Sequence, residues 1–261
     1  MNIINSLNNQ KIKDLVRLKK AGERREAQML IIDGAREIEK AKKSAYEIRE
    51  LFYCPALIKK EEKNFFGVES EKITEVSEPV FRKICYKENP DGFFAVVAIK
   101  KISLKDIKLS KNPLVVILEA VEKPGNLGAI IRTAYAAGVE AIIINDNQTD
   151  IYNPNVIRAS EGFVFNVPII IASVVETQSW LKKEKIISLA AATGGKKSYT
   201  EEKMNMSLAI ILGSEAYGLS DKWLTKADKL IKIPMVKGID SLNVSVSAAI
   251  LIYEAHRQRE K

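Results

Sequence analysis

Beyond residue 113, short unbroken apolar runs alternate with stretches whose apolar residues recur at helical spacing, and few architectures accommodate that rhythm. Leu114–Leu118, Ala141–Ile144, Ile186–Ala191, Leu208–Leu212 and Leu230–Ile233 have the composition of strands buried on both faces. Between the first two, Leu127, Ile130, Ile131 and Ala134 mark one face of a helix that Gly138 should end. Trp180–Lys183 closes a further helix. Ser241–Arg259 reads as a long terminal helix with Leu242, Val246, Ala249, Ile250 and Tyr253 on its inner face. Strand and helix in strict alternation predict an α/β fold, a mainly parallel sheet with helices on both sides.

Residues 1–100 predict a smaller α/β domain. Lys11–Lys20 reads as a charged helix, and Met29–Ile32, Leu51–Tyr53 and Phe93–Ile99 as strands. Asp33 stands where it would cap a helix over Gly34–Ser44, with Ile38 and Ala41 inward. Ser77 and Pro79 start another helix whose apolar face is Phe81, Ile84 and Cys85. Asn89-Pro90-Asp91-Gly92 is a turn signal. Lysine-rich residues 101–112 are expected to be a linker, with 113–261 as the second domain.

Composition narrows the chemistry. Two cysteines, Cys54 and Cys85, make no disulfide framework, and with the single His256 they predict no metal site. That lone terminal histidine also argues against a Ser–His or Cys–His nucleophile. The start, MNIINSLNNQ, lacks signal-peptide character, and the apolar stretch Val167–Val175 is too short to span a bilayer, so the expected location is cytoplasmic, with no membrane partner. The net charge is +8; residues 1–110 hold 23 Lys+Arg against 17 Asp+Glu, and the remainder 18 against 16. The excess cations of the first part suit a polyanion such as nucleic acid, although a solvated lysine-rich surface has the same composition.

Three stretches do not read as plain core. A strand runs into Pro124-Gly125-Asn126, where Asn126 holds a helix-cap position, and Arg132 interrupts the apolar helix that follows. A second buried strand ends in Gly213, followed by Glu215 and Gly218, and glycines at a strand end let a ligand approach the backbone closely. A third strand ends at Ile233-Pro234-Met235, after which Ser241 and Asn243 open the last helix. Taken singly, each is also a cap, a turn or a snorkelling arginine. No G-x-G-x-x-G occurs, and Thr193–Ser198 lacks the order of a phosphate-binding loop.

In this order, Asn126 with Arg132, Gly213-Ser214-Glu215 with Gly218, and Ile233-Pro234-Met235 with Ser241-Leu242-Asn243 closely resemble the three motifs of the SpoU/TrmH family of RNA ribose methyltransferases, over about 112–259. More loosely, Leu15–Leu18, Arg24-Arg25 and Ile32-Asp33-Gly34 resemble the family's accessory RNA substrate-binding domain of ribosomal-protein type. The resemblance implies a SPOUT α/β sheet with a deep trefoil knot, S-adenosylmethionine as cofactor, a homodimer, and structured RNA as partner. By carry-over, Thr193, Gly213, Gly218, Ile233 and Leu242 would bind the cofactor. Arg132, Asn126, Glu215, Ser241 and Asn243 would form the catalytic set, and Arg17, Arg24 and Arg25 would contact RNA. The implied reaction is methyl transfer to a ribose 2′-hydroxyl, with 23S ribosomal RNA as substrate and transfer RNA as the alternative. A non-catalytic RNA-binding relative or a base-methylating knotted enzyme are the rival readings. The family assigns its arginine as a base, but a guanidinium is almost never neutral, so phosphate binding and electrostatic activation of the hydroxyl are the alternative role. One departure is Glu161, where the family has a small or apolar residue.

Overall fold

The computed structural model describes residues 2–58 and 65–260. The chain separates into two compact units: residues 1–101 with 152–166, and residues 102–151 with 167–261.

The first unit begins with β1 (Asn2–Ile4), α1 (Gln10–Arg17), α2 (Ala21–Ala27), β2 (Met29–Asp33) and α3 (Ala35–Lys43). It continues through β3 (Ile48–Tyr53), β4 (Ile73–Val76), α4 (Glu78–Ile84) and β5 (Phe93–Ala98). The sheet order is β1-β4-β3-β5-β2. β4 runs parallel to β1 and β3, whereas β5 is antiparallel to β3 and β2. Ile12, Leu15, Phe52, Phe81, Ile84 and Phe94 meet in its core. The single charged helix expected over Lys11–Lys20 is in fact two: α1 ends at Arg17 and α2 starts at Ala21.

Asp33 is not the cap of α3. Its Oδ2 accepts the backbone N–H groups of Tyr86 and Lys87 at 2.7 and 2.8 Å. The freed helix end is met by Asp91, whose Oδ2 accepts from Ala35 N at 3.0 Å. Burial pushes the Asp33 carboxyl above its ordinary range.

The second unit runs β6 (Leu114–Glu119), α5 (Pro124–Ala136) and β7 (Ala141–Asn145). The chain then makes α6 (Pro154–Ala159), which belongs by packing to the first unit, before β8 (Ile169–Ile171), α7 (Val174–Lys183) and β9 (Ile187–Ala191). It ends with β10 (Lys197–Ser198), β11 (Leu208–Leu212), α8 (Asp221–Lys226), β12 (Lys229–Lys232) and α9 (Val244–Arg259). All seven strands are parallel, in the order β10-β12-β9-β11-β6-β7-β8. Every residue of β6, β7 and β11 is buried, as their unbroken apolar runs require. Trp223 on α8 is fully buried and donates its indole N–H to Asn145 Oδ1 at 3.2 Å.

Three expectations fail here for identifiable reasons. Residues 102–111 are not a loose linker: Ile102, Leu104, Ile107 and Leu109 pack on the core of the second unit. Residues 152–166, read as part of one continuous second domain, pack with the first unit, where Tyr152 Oη lies 3.2 Å from Tyr46 Oη and Phe165 meets the Tyr46 ring edge-on. In α9 the buried residues are Val244, Ala248, Leu251, Ile252 and Ala255, not the face that spacing selected. The helix is apolar on more than one side, so periodicity has no unique solution. Val246 and Tyr253 of the expected inner face are 47% and 48% exposed within one chain.

Candidate functional site

A cleft of about 600 Å³ opens beyond the carboxyl ends of β9, β11 and β12, the position where open parallel sheets hold their ligands. Its walls are the loop after β9, the turn after β11, and the irregular stretch between β12 and α9. Thr193, Gly213, Gly218, Ile233 and Leu242, all selected from the sequence as cofactor contacts, line it together with Ser241 and Glu215.

The turn after β11 is shaped by its glycines. Ser214 and Gly218 exchange backbone hydrogen bonds at 3.0 Å in both directions, which folds residues 214–218 back on themselves. Gly218 closes the turn with φ +67°, in the left-handed region. Gly213 lies so close to the returning strand that a Cβ there would fall on the backbone of Gly218 and Leu219. Glu215 is thereby presented at the tip of a turn closed by two backbone hydrogen bonds.

Glu215 is the hub of the polar constellation. Its Oε1 accepts from Asn126 Nδ2 at 2.5 Å and from Asn243 Nδ2 at 2.7 Å. Asn243 Nδ2 also lies 3.3 Å from Asn126 Oδ1, so the three side chains form a closed set. Asn243 is the N-cap of α9, its Oδ1 accepting from Ser245 N at 2.9 Å and Ser245 Oγ at 2.6 Å, which fixes the direction of its amide. Asn126 is not the cap of α5: that position is Lys123, and Asn126 lies within the first turn, its amide turned to Glu215. Lys123 itself was missed by sequence reasoning. Its Nζ sits 2.5 Å from Glu215 Oε2, an ion pair across 92 positions that no local pattern signals.

These donors hold the Glu215 carboxyl below the ordinary carboxylate range; Lys123 is the main cause, opposed by burial and helped by Asn126 and by the Val244 N–H at the start of α9. The Lys123 ammonium is raised correspondingly by Glu215. A depressed folded pKa means the contribution of Glu215 to stability is complete above its ordinary value and is lost as pH falls through the depressed one. The gap in thermal midpoint between the wild type and Glu215→Gln is therefore expected to hold between about pH 6 and 8 and to close below about pH 4. A gap that widens on acidification would refute this assignment of the carboxylate.

Arg132 lies on a different face of α5 from Asn126. It is exposed on α5, about 120° around the helix from Asn126, and does not line the cleft. In the first unit, Arg25 is exposed, and Arg17 is exposed and paired with Glu23 at 2.8 Å. Arg24 is not available as an RNA contact: it is 2% exposed, and its Nη1 donates to the carbonyls of Leu18 and Lys19, both at 2.8 Å, bracing the turn between α1 and α2. Glu161 lies 3.4 Å from Arg36 Nη1 and adopts φ +50° beside Gly162, so this acid neutralises a neighbouring cation.

A parallel α/β unit with a strand-end cleft and an asparagine–glutamate–asparagine hub has the layout of a small-molecule-binding domain. Residues 113–253 match the SpoU rRNA Methylase family, and residues 9–95 match the MRM3-like substrate binding domain. A Bacillus subtilis relative named 23S rRNA (guanosine(2553)-2′-O)-methyltransferase RlmP is 32% identical over 254 residues, 97% of this chain and 98% of its own. A crystal structure described as an RNA 2′-O ribose methyltransferase superposes with a TM-score of 0.86 at 37% identity, covering 99% of this chain and 100% of that one. The AdoMet-bound rRNA methyltransferase from Sinorhizobium meliloti gives a TM-score of 0.90 at 28% identity, covering 98% and 97% of the two chains. The chain belongs to the SpoU rRNA methylase family.

Proposed function

We propose that this chain is a cytoplasmic enzyme that transfers the methyl group of S-adenosylmethionine to a ribose 2′-hydroxyl of 23S ribosomal RNA. The observation that carries the reading is the Glu215 hub, which gathers two of the three sequence motifs around the third at the edge of one cleft.

The cleft suits the cofactor. Its volume lies within the range of small-molecule sites. Leu219, Leu230, Ile233 and Leu242 offer apolar contact, and the glycine-built turn leaves backbone edges open to polar groups. The carboxylates of Glu215 and Asp240 suit a cationic sulfonium. When bound, S-adenosylmethionine supplies an electrophilic methyl group. The chain's own residues would hold the ribose oxygen beside the cofactor cleft. Asn126 and Asn243, locked by Glu215, orient the ribose and the arginine. Ser241, on the cleft wall just before α9, takes part in that positioning. Arg132 binds the adjoining phosphate and favours the ionised hydroxyl by its charge, the hydroxyl proton passing to solvent water.

Because Arg132 lies outside the cleft of its own chain, the complete site belongs to a homodimer in which a second copy supplies it. The exposed apolar residues of α5 and α9, Tyr135, Val246 and Tyr253 (44%, 47% and 48% exposed), support that pairing. The C-terminal part of the second unit is proposed to form the trefoil knot of the family. The first unit, with its excess of cations, is proposed as a ribosomal-protein-type domain that grips structured RNA. Deleting the gene and mapping 2′-O-methyl sites across ribosomal and transfer RNA tests the assignment. One site is expected to vanish from 23S rRNA; a vanished transfer-RNA site, or none, would overturn the substrate.

A further inference from the structure

A second, smaller cleft of about 230 Å³ lies beside the first, and the two share Glu215, Ala216 and Val244 as a common wall. Its remaining lining is Ala120, Val121, Glu122, Lys123 and Asn126. This lining is built rather than loose. Ala120 holds φ +54° and donates its N–H to Asn145 O at 3.0 Å. The buried Thr149 donates its hydroxyl to the carbonyls of Val121 and Glu122, at 2.9 and 2.5 Å.

We infer that this second cleft seats the acceptor ribose, and that Lys123 leaves Glu215 to hold a phosphate beside it; the inference rests on the methyl-transfer reading of the neighbouring cleft. A reacting oxygen must lie against the cofactor's methyl carbon, so the acceptor has to enter by a space that shares a wall with the cofactor cleft, as this one does. Among the described residues that line it, Lys123 is the only cation, while Glu122 and Glu215 are the anions. A phosphodiester approaching two carboxylates is repelled by them, and Lys123 is the cation of the same chain placed to offset that repulsion beside Arg132 of the second copy. Lys123 is able to do so. Its side chain is 69% exposed, and an ion pair so open to water holds weakly. Glu215 does not become an orphan when the lysine leaves, because Asn126, Asn243 and the Val244 N–H still donate to it. An ammonium on a flexible stem binds phosphate as a point charge and can make this exchange without moving the backbone.

The test measures affinity for a fluorescent, unmodified 23S rRNA transcript between about 50 and 200 mM salt, with S-adenosylhomocysteine present, alongside steady-state methyl transfer. Lys123→Ala is expected to raise the KM for RNA about tenfold with cofactor affinity unchanged, and to flatten the slope of log affinity against log salt by about 0.7–0.9. Lys123→Arg should restore the slope. The same flattening is expected when Lys123→Ala is added to Glu215→Gln. If the double variant has the slope of Glu215→Gln alone, Lys123 merely neutralises Glu215 and the inference fails. It fails equally if Lys123→Ala weakens the cofactor as much as the RNA. If the wild type transfers no methyl group while Lys123→Ala still flattens the slope, the phosphate contact stands and the methyl-transfer reading falls.

Discussion

Arg132→Ala is expected to lower the rate of methyl transfer by about 10²–10³-fold, the scale seen when one group that stabilises developing negative charge is removed. Its side chain is exposed on α5 of the single chain and fills no core space, so each subunit should still fold and cofactor affinity should stay within about twofold. The loss should therefore appear in kcat rather than in folding or cofactor binding. Mixing carries the test further. An equal mixture of Arg132→Ala and Glu215→Ala subunits, allowed to exchange, should recover about a quarter of wild-type activity, because half the dimers then hold one complete site of two. A mixture no more active than its components would place Arg132 and Glu215 in the same subunit's site, and would remove the shared-site account.

Gly213→Ala is expected to weaken S-adenosylmethionine by about 5-fold to 150-fold in calorimetric titration. A Cβ at this position would occupy the space of the Gly218 backbone, so the turn that carries Glu215 must shift. Overpacking of this kind costs about 1–3 kcal/mol, and 1.4 kcal/mol is a factor of ten in affinity. Gly194→Ala is the control, since a Cβ there meets nothing within 4 Å although Gly194 also lines the cleft. Equal effects at the two glycines would contradict the proposal that close approach at Gly213 shapes the site.

How much of this was legible in the sequence follows from the range of the forces involved. The buried parallel strands were legible because each is a continuous apolar run, and β6, β7 and β11 fall within a residue of their expected bounds. The end of α5 was legible through Gly138, which has φ +73° as the helix terminus requires. Non-local choices were not legible. Asp33 had two uses open to it, capping α3 or accepting the N–H groups of Tyr86 and Lys87, and only the fold brings the second within reach. Ile102, Leu104, Ile107 and Leu109 were hidden among lysines, because a strip that packs on one side needs few apolar residues. Arg24 has the composition of an RNA contact and the environment of a structural brace.

The site divides in the same way. Asn126, Glu215 and Asn243 were selected from resemblance, and the structure brings them into one hydrogen-bonded set. Lys123 went unseen because its role depends on a partner 92 residues away. The inner face of α9 was misread for a reason that bears on function: a helix apolar on two sides has one side for its own sheet and one left over.

The most direct test of the central claim is product analysis. Purified protein is incubated with unmodified 23S rRNA and S-adenosylmethionine carrying a labelled methyl group, and the RNA is digested to nucleosides for mass spectrometry. The account predicts the label in a single 2′-O-methylated nucleoside, with the methyl group on the ribose fragment. Label on a base fragment, or none in RNA from a folded protein that binds the cofactor, would contradict it.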